Sequence, residues 1–353
     1  MKSYYDKSDG FVALLFGGRG FEREVSRLGA VNFLSTAKRI SAEPLPIFID
    51  EKGDFFIYSG EISKIGDLSL SFTHDELEPT FPISLCAQRG FYTDGGIIPV
   101  SRAIPLLHGD FGEDGRVQGL LEMAGIEVFG EGTVVGAVCS DKAYSKAVAR
   151  SAGVSVLPWV EFSRESFSLP EAERRIADEF GFPAIVKPCG LGSSVGVRLA
   201  KCREDLERCF EEAFAVADRV LAEPALLCKR EIECAYYRRD DEEIISSPGE
   251  VIVGGIYDYR LKYTSGGATL MPQALLDVAV RGQITDSTRA LAHAFGIRKM
   301  ARFDYFLLPS GKVYFNEVNT FPGMTSGSLY ASMLSYAGVS FESLVADALG
   351  DAD

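Results

Sequence analysis

The stretch ARFDYFLLPSGKVYFNEVNT, residues 301–320, constrains the chain more than any other segment. Two runs of alternating apolar and polar residues flank Pro309-Ser310-Gly311-Lys312, a turn composition, so they are expected to pair as an antiparallel hairpin. A turn centred on Ser310-Gly311 sets Asp304 opposite Glu317 and Arg302 opposite Asn319. The two-residue period of a strand puts all four on one face. Opposed residues hold their Cβ atoms about 4.5–5.5 Å apart, where like charges destabilise a sheet. A cation is therefore expected between the acids, and magnesium suits their oxygens because it commonly bridges carboxylates and nucleotide phosphates. The other reading is two solvated carboxylates relieved by Arg302, which a one-residue slip of register would produce. Beyond Asn319, the corner Phe321-Pro322-Gly323-Met324 turns backbone N–H groups toward the same place, as an oxyanion requires.

A second segment, PAIVKPCGLGSSVGV, ends an apolar strand at Lys187 and continues into the glycine loop 190–196. Glycine lets main-chain amides fold over phosphates, and the adjacent lysine supplies charge. The ordinary alternative is a hairpin tip. No GxxxxGK[ST] loop is present anywhere in the chain. Gly192-Ser193-Ser194-Val195-Gly196 formally matches the elbow of a serine hydrolase, with His293 as the one histidine after the serine. That elbow needs a helix next, whereas residues 195–200 read as a strand.

Nearer the N-terminus, the buried strand FVALLF runs into Gly17-Gly18-Arg19-Gly20 and then a helix with the apolar stripe Val25, Leu28, Val31 and Leu34. The turn lacks GxGxxG, so a dinucleotide site is weakly supported. Glu22 opens the helix, as a dipole partner or as an anchor for a substrate ammonium. His108, in HGDFGEDG, follows an apolar strand at the end where open sheets place ligands. Residues 257–263, YDYRLKY, lead into a polar glycine-rich excursion suited to a lid.

With 353 residues, two or three domains are expected. The net charge of −14 argues against nucleic acid and anionic membranes as partners. Neither a membrane span nor a signal peptide is readable. The seven cysteines are scattered without a CxxC pair, which suits reduced thiols in the cytoplasm. Strands alternating with helices suggest an open parallel sheet to about residue 130, then a small α+β unit, then strands with a helix over 281–295 and the closing hairpin.

The segments GGRGFEREVS, LLHGDFGEDGRVQG, IVKPCGLGSSVGV, YDYRLKY, ARFDYF and NEVNTFPGMTSGSL, in this order, resemble the D-alanine:D-alanine ligase family of the ATP-grasp superfamily over nearly the whole chain. The resemblance implies an α/β and α+β, three-domain ATP-grasp fold. Its parts would be an N-terminal open parallel-sheet (Rossmann-like) domain at 1–130, a central domain at 131–222 and a C-terminal domain at 223–353, with a mobile loop about 257–275. It implies ATP-dependent ligation of two D-alanines through an acyl phosphate, supplying peptidoglycan synthesis, by a cytoplasmic homodimer; D-lactate or D-serine is the alternative acceptor, and Tyr263 looks like the D-alanine type.

Matched motif by motif, Glu22, Ser193 and Tyr263 would anchor the first alanine's ammonium, with His108 near its carboxylate. Lys142, Lys187 and Lys262, with Ser193 and Ser194, would hold phosphates, and Glu223 and Glu231 the adenine side and ribose. Asp304, Glu317 and Asn319 would bind two Mg2+ ions, with Mn2+ a substitute. Arg302 and the Gly323 amide would stabilise the tetrahedral intermediate, and Ser328 with Leu329 would receive the second alanine's carboxylate. Phe129-Gly130-Glu131, Arg260 and Ala331 depart from the family pattern, and Glu223 and Glu231 stand one residue further apart than usual.

Overall fold

A computed structural model describes residues 10–253 and 268–350, apart from positions 72, 74, 78 and 88. Tyr257 to Tyr263, and with them the expected roles of Lys262 and Tyr263, lie outside the described residues. No helix among the described residues is long and apolar enough to cross a membrane.

The first sheet gathers β1 (Phe11–Gly17), β2 (Leu45–Ile49), β3 (Phe55–Tyr58), β4 (Thr80–Cys86), β5 (Gly90–Thr93), β6 (Gly96–Ile98), β7 (Val100–Pro105) and β8 (Glu127–Val128) in the order β6-β5-β4-β3-β2-β1-β7-β8. Its parallel part, β2-β1-β7-β8, is the open sheet expected from the apolar runs. The antiparallel meander β3 to β6 that widens it was not expected. β1 is central and buried on both faces, hence its continuous apolar run.

The helix after it, α1 (Arg23–Arg39), buries Val25 and Leu34 of the stripe read in the sequence but turns Leu28 outward and widens the inner face with small residues. Leu28 is 38% exposed, while Ser26, Gly29, Ala30, Phe33 and Ala37 are buried. Small residues win this face because the helix lies close on the sheet. A Cβ at Gly29 would come 2.7 Å from Leu106 Cδ2.

After α2 (Ile62–Ile65) and α3 (Arg116–Met123) come α4 (Thr133–Ser140) and α5 (Lys142–Ser151), the second capped by Asp141, whose side chain accepts from the Ala143 and Tyr144 amides. The second sheet, β11-β10-β12-β9, consists of β9 (Val160–Ser163), β10 (Ala184–Pro188), β11 (Arg198–Ala200) and β12 (Arg219–Pro224), covered by α6 (Leu169–Glu179) and α7 (Leu206–Phe214). Leu206, Phe210, Ala213 and Phe214, the stripe expected on α7, are all buried there.

The third sheet runs β16-β15-β13-β17-β18 with β14 on β13, from β13 (Arg230–Arg239), β14 (Glu242–Ile245), β15 (Gly249–Val253), β16 (Ala268–Met271), β17 (Met300–Leu307) and β18 (Val313–Asn319). Ala268–Met271, within the span expected as a loop, is thus a strand. Helices α8 (Val278–Phe295), α9 (Leu329–Tyr336) and α10 (Phe341–Leu349) complete the chain.

Cys139 of α4 and Ala149 of α5 share a core with β17, β18 and α8, and a parallel bridge joins Val156 to Phe315. Residues 133–156 thus pack on the third sheet, and Ala143 of α5 also meets Cys189 and Leu221 beside the second, so this part of the expected 131–222 unit touches both. Glu131 fastens the start of β17: its buried carboxylate accepts from the amides of Arg298, Lys299 and Met300 at 2.8–3.3 Å. A charged side chain can stay in that interior because several N–H donors replace its water.

Candidate active site

The hairpin β17–β18 pairs Asp304 with Glu317 and Arg302 with Asn319, as expected, but by a different route. Leu307 pairs with Val313, so the turn occupies residues 308–312 and is centred one half-step earlier than expected. An irregularity beside Asp304 leaves Asn316 as the extra residue on β18 and restores the pairing. The bulge aims Asn316 Oδ1 at Lys187 Nζ, 3.3 Å away.

Because β13 pairs with β17 on the other side, Glu233 opposes Asp304. Three carboxylates, Glu233, Asp304 and Glu317, therefore lie in a row across three strands. Such a row survives only if cations separate its members. Arg302 does so for two of them: its Nε and Nη2 each lie 2.7 Å from an Asp304 oxygen, and Nε is 3.1 Å from Glu233 Oε2. Burial by itself would loosen the proton of Arg302, but Asp304 and Glu233 outweigh it and hold the guanidinium firmly charged. Lys142 serves the third, at 3.2 Å from Glu317 Oε2. Asn319 Nδ2 donates to Asp304 at 3.2 Å.

Glu233, Arg302, Asp304, Glu317 and Lys142 line one side of a cleft of about 620 Å³ between the second and third sheets. Lys187, Ser193, Ser194 and Glu223 line it from the second-sheet side, and Glu231 and Glu250 also line it. Lys187 projects from β10 and reaches Glu223 Oε1 at 2.6 Å. Glu223 is itself clamped from behind, its Oε2 lying 2.7 Å from Lys146 Nζ. Burial alone would raise the carboxyl, yet Lys146 and Lys187 pull it down to about 2. Glu231 pairs with Lys229, whose ammonium also sits 4.0 Å from the centre of the Phe306 ring.

The glycine loop links this cleft to the first sheet. Ser193 and Ser194 adopt φ of 50° and 57°, a left-handed conformation that non-glycine residues accept only where surroundings enforce it. Ser193 Oγ donates to Glu22 at the start of α1. A Cβ at Gly192 would lie 3.0 Å from Glu22 Oε2, and one at Gly109 2.6 Å, so both glycines make room for this carboxylate. His108 is buried at the end of β7, next to Gly109.

Glu113, which the sequence did not single out, accepts from Gly109 N at 2.9 Å and Phe321 N at 3.4 Å. It ties the first sheet to the segment beyond β18. Enclosure first, then the nearby charge of Glu22, pushes its carboxyl up to about 8. In that segment Asn32 holds the Met324 carbonyl at 2.8 Å, and Ser328 stands at the N-cap position of α9 without a side-chain capping bond, with the Leu329 amide in the first turn and the Leu329 side chain buried. Of the sequence-named residues, Glu22 and His108 lie at the first sheet, Lys142, Lys187, Ser194, Glu223, Glu231, Arg302, Asp304 and Glu317 line the cleft with Asn319 beside Asp304, Ser193 lines the cleft and reaches Glu22, and Gly323, Ser328 and Leu329 lie in the segment beyond β18.

The hydrolase alternative has no geometry to support it. The chain returns from the glycine loop in the strand β11, not a helix, and His293 on α8 faces Glu243 at 2.7 Å. Lys146 had a legible signal, since DKAYSK places it one helical turn after Lys142 behind a capping aspartate. Glu233 and Asn316 had none, because a sheet neighbour and a bulge decide where they point.

Residues 11–131 match the N-terminal part, and residues 148–349 the C-terminal part, of D-ala D-ala ligase. The chain belongs to the D-alanine–D-alanine ligase family. A D-alanine–D-alanine ligase of Caldicellulosiruptor bescii is 36% identical over 95% of this chain and 92% of its own length. Among solved structures, the VanG D-Ala:D-Ser ligase from Enterococcus faecalis superposes with a TM-score of 0.85 at 31% identity, covering 98% of this chain and all of the other. The family's ligase from Coxiella burnetii gives 0.83 at 28% identity, covering 98% and 94%. The expected ATP-grasp fold is therefore the fold of this chain.

Proposed function

We propose that this chain joins two D-alanines into D-alanyl-D-alanine with conversion of ATP to ADP and phosphate, the ADP-forming activity of its family, and so supplies peptidoglycan synthesis. The observation that carries the reading is the meeting of Lys142 with Glu317, and of Lys187 with Asn316, in one cleft beside Arg302 and Asp304. Cations for phosphates and acids for a divalent ion converge where the glycine loop reaches Glu22.

The donor D-alanine carboxylate attacks the γ-phosphorus, the bond to the bridging oxygen breaks and ADP leaves. The amine of the second D-alanine then attacks the acyl carbon, and phosphate departs with the electron pair of the C–O bond as the amine loses its proton. Positioning and charge neutralisation carry both steps. Glu22, with Ser193, receives the donor ammonium. Lys142 and Lys187 bind phosphate oxygens. Arg302 and the Gly323 amide face the negative charge of the tetrahedral intermediate. The Leu329 amide and Ser328, at the N-terminus of α9, take the acceptor carboxylate.

Magnesium fits the donor set: Asp304 and Glu317 offer hard oxygens at the cleft with the Asn319 amide beside Asp304, and the ion would neutralise phosphate charge there. Among the described residues, no three His, Cys, Asp or Glu side chains converge as a metal site. Nucleotide oxygens and water would have to complete the shell. All seven cysteines are free, which suits a reducing, cytoplasmic setting, and the homodimer implied by the resemblance belongs to the same reading.

ADP release measured with D-alanine against L-alanine tests the function; equal rates, or none with D-alanine and magnesium, would sink it. A D-serine acceptor is the second reading, favoured by the likeness to the D-Ala:D-Ser ligase. Product analysis with D-alanine, D-serine and D-lactate in competition separates the two.

A further inference from the structure

Lys146 has no exposed surface and lies behind the cleft wall, not on it. Helix α5 sets it one turn after Lys142, so both ammonium groups leave the same face. Lys142 goes to the cleft, donating to Leu191 O at 2.7 Å and pairing with Glu317. Lys146 goes inward, and its charge ends 2.7 Å from Glu223 Oε2. The other oxygen of the same carboxylate lies 2.6 Å from Lys187 Nζ.

One buried anion thus stands between two cations, of which only Lys187 and not Lys146 reaches the cleft. We infer that Lys146 is a positioning residue for the nucleotide: by neutralising Glu223 from behind, it leaves the charge of Lys187 available to the phosphates. The inference rests on the reading of the cleft as an ATP site.

The charge count supports it. Two lysines and one glutamate leave one net positive charge at the wall. Without Lys146, Glu223 and Lys187 would cancel, and a neutral pair would face the ligand's phosphates. Stability alone does not explain the arrangement, because an apolar side chain of similar volume commonly serves a core as well as a buried ion pair. The Trp159 ring, 5.9 Å from Lys146 Nζ, favours a charge kept out of water, against the repulsion of Arg150 on the same ring. Burial pulls the Lys146 ammonium down and Glu223 opposes it, while Glu223 stays ionised.

The test compares the dissociation constants of ATP and adenosine for the full chain by calorimetry with magnesium and without D-alanine. Lys146→Met is expected to weaken ATP about ten- to hundredfold, the worth of a hydrogen bond to a charged group, while leaving adenosine unchanged. Lys146→Arg, which keeps the charge, should hold the wild-type ratio. In Lys146→Met/Glu223→Gln the neutral amide no longer consumes the charge of Lys187, so the ratio should return. This double variant also carries the comparison if Lys146→Met does not fold.

A fall in melting temperature with an unchanged ATP-to-adenosine ratio, or a double variant that regains stability and not the ratio, overturns the inference. Wild-type protein that fails to bind ATP would instead overturn the ATP reading on which it rests.

Discussion

Asp304 and Glu317 face each other directly across β17 and β18, and the extra residue Asn316 is what keeps them in register. Their repulsion is relieved by different cations, Arg302 for Asp304 and Lys142 for Glu317. The two acids are therefore not equivalent to mutation. Glu317→Gln is expected to lower turnover by about 10²-fold or more, the cost of losing one stabilising group at developing charge, with little change in melting temperature. Asp304→Asn should cost as much turnover and also stability, because Arg302 loses its bidentate partner. Steady-state rates and thermal melts of the two variants check both parts, and wild-type turnover in either refutes the metal assignment.

Metal affinity should depend on nucleotide. Two carboxylates and an amide make an incomplete shell for a hard cation, and Arg302 and Lys142 compete for the same oxygens. Manganese titrated into the protein, followed by electron paramagnetic resonance, should bind at least about tenfold more tightly with ADP present. Equal affinity in both conditions would contradict this.

Glu113 makes a pH prediction. Its carboxyl is raised from the ordinary range to about 8, so the folded chain binds this proton more tightly than the unfolded chain does. For such an acid the favourable term is complete below the unfolded value near 4.5 and is lost as pH rises toward 8. The melting temperature of Glu113→Gln should accordingly decline less between pH 5 and 8 than that of the wild type. Parallel curves would remove the raised carboxyl as a cause.

Glu22 is fenced by two glycines, and only one of them can be tested without backbone strain. Gly109 has φ of 66°, whereas Gly192 has an ordinary φ and an added methyl there would sit 3.0 Å from Glu22 Oε2, close enough to push the carboxylate aside. Gly192→Ala is expected to raise the KM for the donor D-alanine about tenfold by displacing the Glu22 carboxylate, with kcat changed less. An unchanged KM argues that this carboxylate does not hold the donor.

Glu131 should matter for stability and not for chemistry. Replacing it by Ala leaves the amides of Arg298, Lys299 and Met300 without their acceptor, at a cost of about 1–3 kcal/mol. Denaturant unfolding of Glu131→Ala measures that loss.

Period and composition determined much of this protein by themselves. The two-residue alternation around Asp304 and Glu317 fixed which side chains share a face, since a strand has no other choice, and Asp141 with the spacing of Lys142 and Lys146 fixed the start and face of α5. Tertiary structure decided what local pattern leaves open. Sheet order put Glu233 beside Asp304, a bulge turned Asn316 to Lys187, and close packing on the sheet hid Gly29 and Ala30 of α1 while exposing Leu28. Resemblance points to Glu223 only as an adenine-side or ribose group, and two lysines arriving from a helix and a neighbouring strand make it a buried, charged link. Local pattern sets direction along one element, whereas charge pairing is settled by whichever elements the fold brings within a few ångströms.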